Sequence, residues 1–164
     1  MPESFPFPLP DRPGQLRKAV LLLREGKTAE ARKELEEQRA LRPNDAEVLY
    51  QIARSHLIDF YQQSDPQKRR VSLALATENL AATLARNPDH IPALRATAVI
   101  HARAELLCYD PSLAYELGTR VAGLEPNNNG FLLNLSEWMS GEVRFTSESG
   151  HRALWIGYSG RFCR

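Results

Sequence analysis

The stretch GKTAEARKELEEQRALRPND, residues 26–45, decides the fold class. It opens on a glycine, which breaks the preceding segment, and closes on Pro-Asn-Asp, through which a helix does not continue comfortably. Between these ends, charged residues surround an apolar stripe that includes Ala31 and Leu35. Residues four apart lie on one face of a helix. The stretch therefore predicts a short amphipathic helix with a turn at each end.

The proline at the end of this stretch recurs along the chain. Pro43 in RPND is followed by Pro88 in RNPD and Pro126 in LEPN, which lie 45 and 38 residues further on. A segment with helical apolar spacing runs up to each proline, and an earlier helical segment precedes it within each unit. The sequence therefore predicts an all-α protein built from pairs of helices.

Two further helix starts are marked inside these units. SDPQ at residues 64–67 and YDPS at residues 109–112 place an aspartate before a proline, as at an N-cap followed by the first helical position. The predicted apolar faces comprise Leu16, Val20, Leu23, Ala31, Leu35, Leu41, Val48, Leu49, Ile52, Leu57, Ala76, Leu80, Leu84, Leu94, Ala98, His101, Leu113, Leu117, Val121 and Leu124.

These units resemble tetratricopeptide repeats. In that family, a small residue, a large residue four positions later and a proline twelve positions after the first mark the second helix of a unit. This sequence departs from the family pattern in three ways. Gly118 occupies the position of the large residue in the third unit, and the residues that mark the first helix of a repeat are mostly missing. The units are also longer than the usual ~34 residues. The matching positions are Ala31, Leu35 and Pro43, then Ala76, Leu80 and Pro88, then Ala114 and Pro126.

The resemblance implies three antiparallel helix-pair repeats and a partial fourth, stacked as a short right-handed solenoid. We expect a proline-rich arm at residues 1–12, a repeat domain at 13–141 and an irregular aromatic tail at 142–164. An ordinary helical bundle with prolines in its loops is the alternative, and it is also all-α. The arm either lies extended on the first helix or offers a polyproline II motif to an aromatic groove.

The last predicted helix carries Phe131, Leu132, Leu135 and Met139, and no second helix follows it in EVRFTSESGHRALWIGYSGRFCR. Apolar residues of this tail fit short extended pieces. A repeat stack needs a cover over its last apolar face. The tail therefore caps the stack, is offered to a partner, or is not the native continuation of the chain.

Composition excludes several classes of protein. The 164 residues carry 21 basic and 20 acidic side chains and a net charge of +1, so no overall field draws the chain to nucleic acid or to a membrane. No run approaches the ~20 apolar residues of a membrane span, and the amino terminus lacks a basic and apolar leader. We expect a cytoplasmic protein that does not bind a membrane.

No catalytic, metal-binding or cofactor-binding motif is present in the sequence. The four histidines form no HExxH pair, and no GxSxG, GxGxxG or phosphate loop occurs. The basic run QKRR at residues 67–70 follows two aromatic residues that could stack on bases, Phe60 and Tyr61, but a nucleic-acid site would need a broader basic patch, and a solvated surface is the expected interpretation. Acidic residues of ARKELEEQRA are expected to form pairs along the helix, such as Arg32 with Glu36. We expect no enzyme and no cofactor.

The resemblance implies a concave face formed by the first helices of the units, on which relatives hold peptides. Three of its arginines would form a strip that binds a carboxylate or acidic peptide, or they are simply solvated. The expected function is an adaptor or small chaperone that binds a protein segment. The alternative is a structural or regulatory subunit that self-associates through its incomplete last repeat. The predicted peptide-binding residues are Tyr50, Arg54, Leu57, Arg95, Val99, Arg103, Leu133 and Glu137.

Overall fold

The computed structural model describes residues 14–103, 106, 108–127, 130, 131, 134 and 135. This part of the chain contains six helices and no strand, which confirms the all-α prediction. Gly130, Phe131, Asn134 and Leu135 also have helical backbone, as predicted for the start of a further helix. The helices are α1 (Gly14–Arg24), α2 (Thr28–Leu41), α3 (Ala46–Gln62), α4 (Pro66–Arg86), α5 (Ile91–Ala102) and α6 (Pro111–Leu124).

Aspartates begin three of these helices. The carboxylates of Asp45, Asp65 and Asp110 accept hydrogen bonds from backbone N–H groups in the first turns of α3, α4 and α6. Each bond satisfies an amide that has no partner within its helix. Pro66 and Pro111 follow directly, so the two Asp-Pro helix starts are confirmed.

The prolines Pro43, Pro88 and Pro126 end their helices in the same way. Helices α2, α4 and α6 each stop two residues before the proline. The residue between helix and proline leaves the helical conformation, with φ of −139°, −137° and −126° in turn. A proline disfavours helical backbone in the residue before it, which explains why all three ends coincide.

Gly26 ends α1 in a left-handed conformation with φ of 76°. Its N–H donates to the carbonyl of Leu23 at 3.1 Å, and the N–H of Lys27 donates to Leu22 at 2.9 Å. These two bonds form a Schellman motif, which satisfies the last carbonyls of a helix and favours glycine at the left-handed position. The chain can therefore turn within three residues and enter α2.

Replacing Gly26 by alanine is expected to destabilise the protein by about 1–2 kcal/mol, because a Cβ disfavours the left-handed conformation. Gly123 near the end of α6 offers a matched control. A Cβ there has open space, so Gly123→Ala should be neutral or stabilise by up to ~1 kcal/mol. Urea unfolding followed by circular dichroism measures both. Equal effects of the two substitutions would contradict this account of the turn.

The described residues fall into two compact units, one up to Pro88 and one from Asp89 onward. In the first, α1 packs on α2, α2 on α3, and α3 most extensively on α4. In the second, α5 packs on α6. A core of the first unit joins α1, α2 and α3 and includes Leu16, Leu23, Leu35 and Ile52. The domain limits predicted at residues 12 and 142 lie outside the described residues.

The helices that precede the prolines bury the same three positions. These are the small residue, the residue four later and the residue seven later, and all three face the interior in every case. The spacing is that of one helix face. The buried positions are Ala31, Leu35 and Gln38 in α2, Ala76, Leu80 and Thr83 in α4, and Ala114, Gly118 and Val121 in α6.

Two residues predicted on apolar faces are exposed instead. Leu41 is the last residue of α2 and is 73% exposed, and Leu124 ends α6. Leu41 lies six residues after Leu35, which is off the spacing of the buried face, and Gln38 fills the inward position. The apolar-face prediction was therefore wrong at both helix ends.

Candidate functional site: a groove between α3 and α4

The first three predicted peptide-binding residues, Tyr50, Arg54 and Leu57, lie on α3 and are half-buried. Their spacing of four and three residues places them on one side of the helix. Arg54 makes no ion pair within the described part of the chain. These three residues therefore share one side of α3, and their role in peptide binding stays a prediction.

The second group, Arg95, Val99 and Arg103, belongs to the other unit. Arg95 and Val99 lie on α5, whereas α5 ends at Ala102 and Arg103 follows it with extended backbone. The helical spacing on which the Arg95–Arg103 pair was predicted therefore stops one residue before Arg103. Leu133 and Glu137 lie outside the described residues.

Arg95 is engaged within its own unit. Its guanidinium bonds to the carboxylate of Glu125, the residue that caps the end of α6. The guanidinium carbon also lies 5.6 Å from the centroid of the Phe131 ring, a cation–π arrangement. A ligand carboxylate at Arg95 would have to compete with Glu125.

A separate open groove lies between α3 and α4, with a volume of about 510 Å³. This size is in the range of ordinary ligand sites. One wall is polar and comes mainly from α3, and the other includes exposed apolar residues of α4. The lining residues are Arg32 of α2, His56, Asp59, Gln62 and Gln63 at the end of α3, and Gln67, Lys68, Val71, Ser72 and Leu75 of α4.

The groove lies on a different side of α3 from the predicted face. Successive residues of a helix are rotated by about 100°, so His56 points about 200° away from Arg54. Asp59 and Gln63 continue the His56 side. The cavity and the predicted arginine face are therefore distinct candidate sites on one helix.

Hydrogen bonds between α2 and α3 hold the polar wall in place. The Asp59 carboxylate accepts from Arg32 Nη1 and from Thr28 Oγ1, each at 2.6 Å. Arg32 Nη1 also approaches Ser55 Oγ at 3.4 Å. We call Thr28, Arg32, Ser55 and Asp59 the Arg32 cluster. Because Thr28 begins α2 and Asp59 lies near the end of α3, the two helices run antiparallel at this point.

The Arg32 cluster replaces a pair that the sequence predicted. Arg32 was expected to pair with Glu36 along α2, but its guanidinium bonds to Asp59 of α3. Glu36 instead pairs with Arg39, with 3.6 Å between Glu36 Oε1 and Arg39 Nη1. The Arg32–Asp59 pair is partly buried, so solvent screens its attraction less than that of an exposed pair on one helix.

His56 lies in the polar wall beside the Arg32 cluster. Burial lowers the pKa of His56 below its ordinary value, and the positive charge of Arg32 lowers it further, against smaller opposite effects of Asp59 and Glu36. Burial and the charge of Arg32 both favour the neutral form of the imidazole.

This pKa shift predicts a pH-dependent stability. A pKa lowered in the folded state means that the unfolded state binds the proton more readily. The stabilisation is complete above the ordinary histidine pKa of about 6.5 and declines as the pH falls below it. We expect the melting temperature of His56→Gln to fall less than that of the parent between pH 7.5 and 5.5. Identical decreases would contradict the assignment to His56.

The exposed basic residues at the start of α4 have different neighbours. Lys68 lines the groove, whereas the guanidinium carbon of Arg69 lies 4.7 Å from the ring centroid of Phe60. Phe60 is only 4% exposed and packs edge-on against Tyr61. Its ring is therefore not available for base stacking, the role that would have favoured a nucleic-acid site.

Most of the groove was missed by sequence reasoning. A pattern in α4 could have indicated it: Lys68, Val71, Ser72 and Leu75 have helical spacing and lie off the buried stripe. Val71 is 52% exposed, and Leu75 is exposed as well. These two residues lie one helical turn apart and form a small exposed apolar patch, and such a patch can mark a contact surface. The α3 wall had no such pattern.

No protein-family model, curated protein or solved structure matches this chain. Of the helices that the structure describes, none is long and apolar enough to cross a membrane. Within the same residues, no three histidine, cysteine, aspartate or glutamate side chains are grouped so that they could hold a metal ion.

Proposed function

We propose that this protein is a non-catalytic binding module that holds a segment of another protein in the groove between α3 and α4. The observation that carries the proposal is the pairing of side-chain amides with two exposed apolar side chains in one open groove. Gln62, Gln63 and Gln67 supply donors and acceptors that suit the free N–H and C=O groups of an extended peptide. Val71 and Leu75 offer apolar surface for one of its side chains.

The helix ends support a further part of the proposal, that the helix pairs are tetratricopeptide-like repeats. Three helices stop at equivalent places before a proline and bury equivalent positions. Such regularity suits units that stack in a short right-handed solenoid, in which each repeat covers its neighbour. An adaptor or small chaperone is the function that this architecture favours. The face with Tyr50 and Arg54 is then a second place for a peptide.

Peptide display against the purified protein tests the proposed function. Selected peptides are titrated into isotope-labelled protein, and the amide resonances are followed by NMR. We expect the largest shifts at the groove residues, such as Asp59, Gln63, Lys68 and Val71. Val71→Asp should weaken binding, whereas Leu41→Asp, at an exposed leucine outside the groove, should not. Selected peptides that bind without shifting the groove residues would refute this site.

Light scattering over a range of concentrations separates this function from the alternative of a self-associating subunit. A monomer that binds selected peptides supports the binding module. A stable oligomer that binds none would instead support the structural or regulatory subunit.

A further inference from the structure

We infer that the groove between α3 and α4 selects a segment that carries a carboxylate side chain and an apolar side chain separated by one residue. This inference rests on the proposed function and specifies the chemistry of the bound segment. It follows from the charges of the lining residues, from the position of the exposed apolar pair and from the length of the groove.

The charge of the groove favours an acidic segment. Among the described lining residues, Asp59 is the only carboxylate, and it is engaged by Arg32 and Thr28. The Lys68 ammonium, by contrast, forms no ion pair with another described residue. With Arg32 and Asp59 compensating each other, the lining has one net positive charge, which a carboxylate of the segment would neutralise.

The two exposed apolar side chains of the groove lie at a fixed distance from this charge. Along α4, Val71 and Leu75 follow Lys68 by three and seven residues, which is about 4.5 and 10.5 Å at the rise of an α-helix. Their midpoint is therefore about 7.5 Å from Lys68. In an extended peptide, side chains two residues apart point the same way and are about 6.6 Å apart. If a carboxylate side chain of the peptide binds Lys68, the side chain two residues away therefore lies between Val71 and Leu75.

The length of the groove limits the segment to a few residues. From Gln67 to Leu75, the α4 wall runs about 12 Å, which about four extended residues span. The three glutamine amides lie at the Lys68 end of this path, where they can bond to the peptide backbone around the carboxylate. The groove therefore recognises two side chains of the segment, one acidic and one apolar.

Four blocked peptides test the inference by NMR titration. The probes are acetyl-Gly-Glu-Gly-Leu-Gly-amide, its reversed order acetyl-Gly-Leu-Gly-Glu-Gly-amide, and the same two with Gln in place of Glu. Blocked ends ensure that the side chain supplies the carboxylate, and both orders are used because either chain direction satisfies the spacing. At least one Glu probe should shift Lys68 and Val71 and bind about two- to fivefold more tightly than its Gln counterpart, the range of a partly exposed ion pair.

Charge variants of α4 identify the source of the preference. Lys68→Glu should weaken binding of the Glu probe about fivefold or more. Arg70→Glu makes the same change of charge on the same helix at an exposed residue outside the groove lining, and it should change binding less than about twofold. Lys68→Gln should bring the Glu and Gln probes to equal affinity. Added salt should reduce only the advantage of the Glu probe.

Equal binding of the Glu and Gln probes to the parent protein would overturn the inference, as would equal effects of Lys68→Glu and Arg70→Glu. Absence of groove shifts with every probe would overturn it too. The display experiment stands apart from these results. Library peptides that bind in the groove without an acidic preference leave the proposed function intact and refute only the selectivity.

Discussion

Replacing Leu80 by alanine is expected to lower the free energy of unfolding by about 2–5 kcal/mol. Leu80 lies in α4, and its side chain is fully buried. The substitution removes three carbon atoms from a packed interior, so the protein loses both the transfer free energy and the contacts of the cavity walls. Urea unfolding followed by circular dichroism at 222 nm measures the loss.

Leu41→Ala is the matched control for Leu80→Ala. It makes the same chemical change in the same unit, at a leucine that is 73% exposed. We expect a change within about 0.5 kcal/mol, as for surface substitutions that leave packing intact. A loss at Leu80 no larger than that at Leu41 would contradict the inward position of Leu80 on α4.

Replacing Asp59 by alanine is the second substitution with a large expected effect, a loss of about 1–3 kcal/mol. The Arg32 and Asp59 side chains are only 26% and 25% exposed, so removing the carboxylate leaves Arg32 partly buried without its partner. Thr28 loses an acceptor as well. The loss of stability comes mainly from leaving these two groups without their partner rather than from the net stabilisation by the ion pair.

Three further variants separate these contributions. Asp59→Asn keeps an acceptor for Thr28 but removes the charge, so it should cost less than Asp59→Ala. The double variant Arg32→Ala with Asp59→Ala should lose less than the sum of the single losses, because no unpaired charge remains. Glu36→Ala breaks an exposed pair of the same unit and should cost at most ~0.5 kcal/mol. Strict additivity, or a loss at Glu36 as large as that at Asp59, would count against the cluster.

Local chemistry made the helix boundaries predictable. Asp65 with Pro66, Asp110 with Pro111, and Pro43, Pro88 and Pro126 act within a few residues of their own positions, through capping bonds and backbone sterics. The structure has each of these helix ends where the sequence predicted it. The helix-pair stacking and the right-handed solenoid stay predictions, because they depend on contacts between units.

Pairing between helices was not predictable in the same way. Arg32 had an acidic residue four positions away on its own helix, yet it bonds to Asp59, which is 27 residues distant in sequence. Lys68, Val71, Ser72 and Leu75 have helical spacing in the sequence, but nothing in it distinguishes them from an ordinary solvated surface. Nothing in the sequence showed that His56 and Gln63 would line the same groove as these α4 residues.

The sequence by itself determined that the described part of this protein is helical, where most of its helices begin and end, and which face of α2 and α4 turns inward. These properties depend on backbone preferences and on a spacing of three or four residues, so each is encoded in a short window. Only the tertiary structure decided that Arg32 bonds to Asp59, that Arg95 bonds to Glu125, and that α3 and α4 leave a groove between them. The physical reason is that partner choice and open space arise from how whole helices pack, and a side chain takes whichever partner that packing brings within reach.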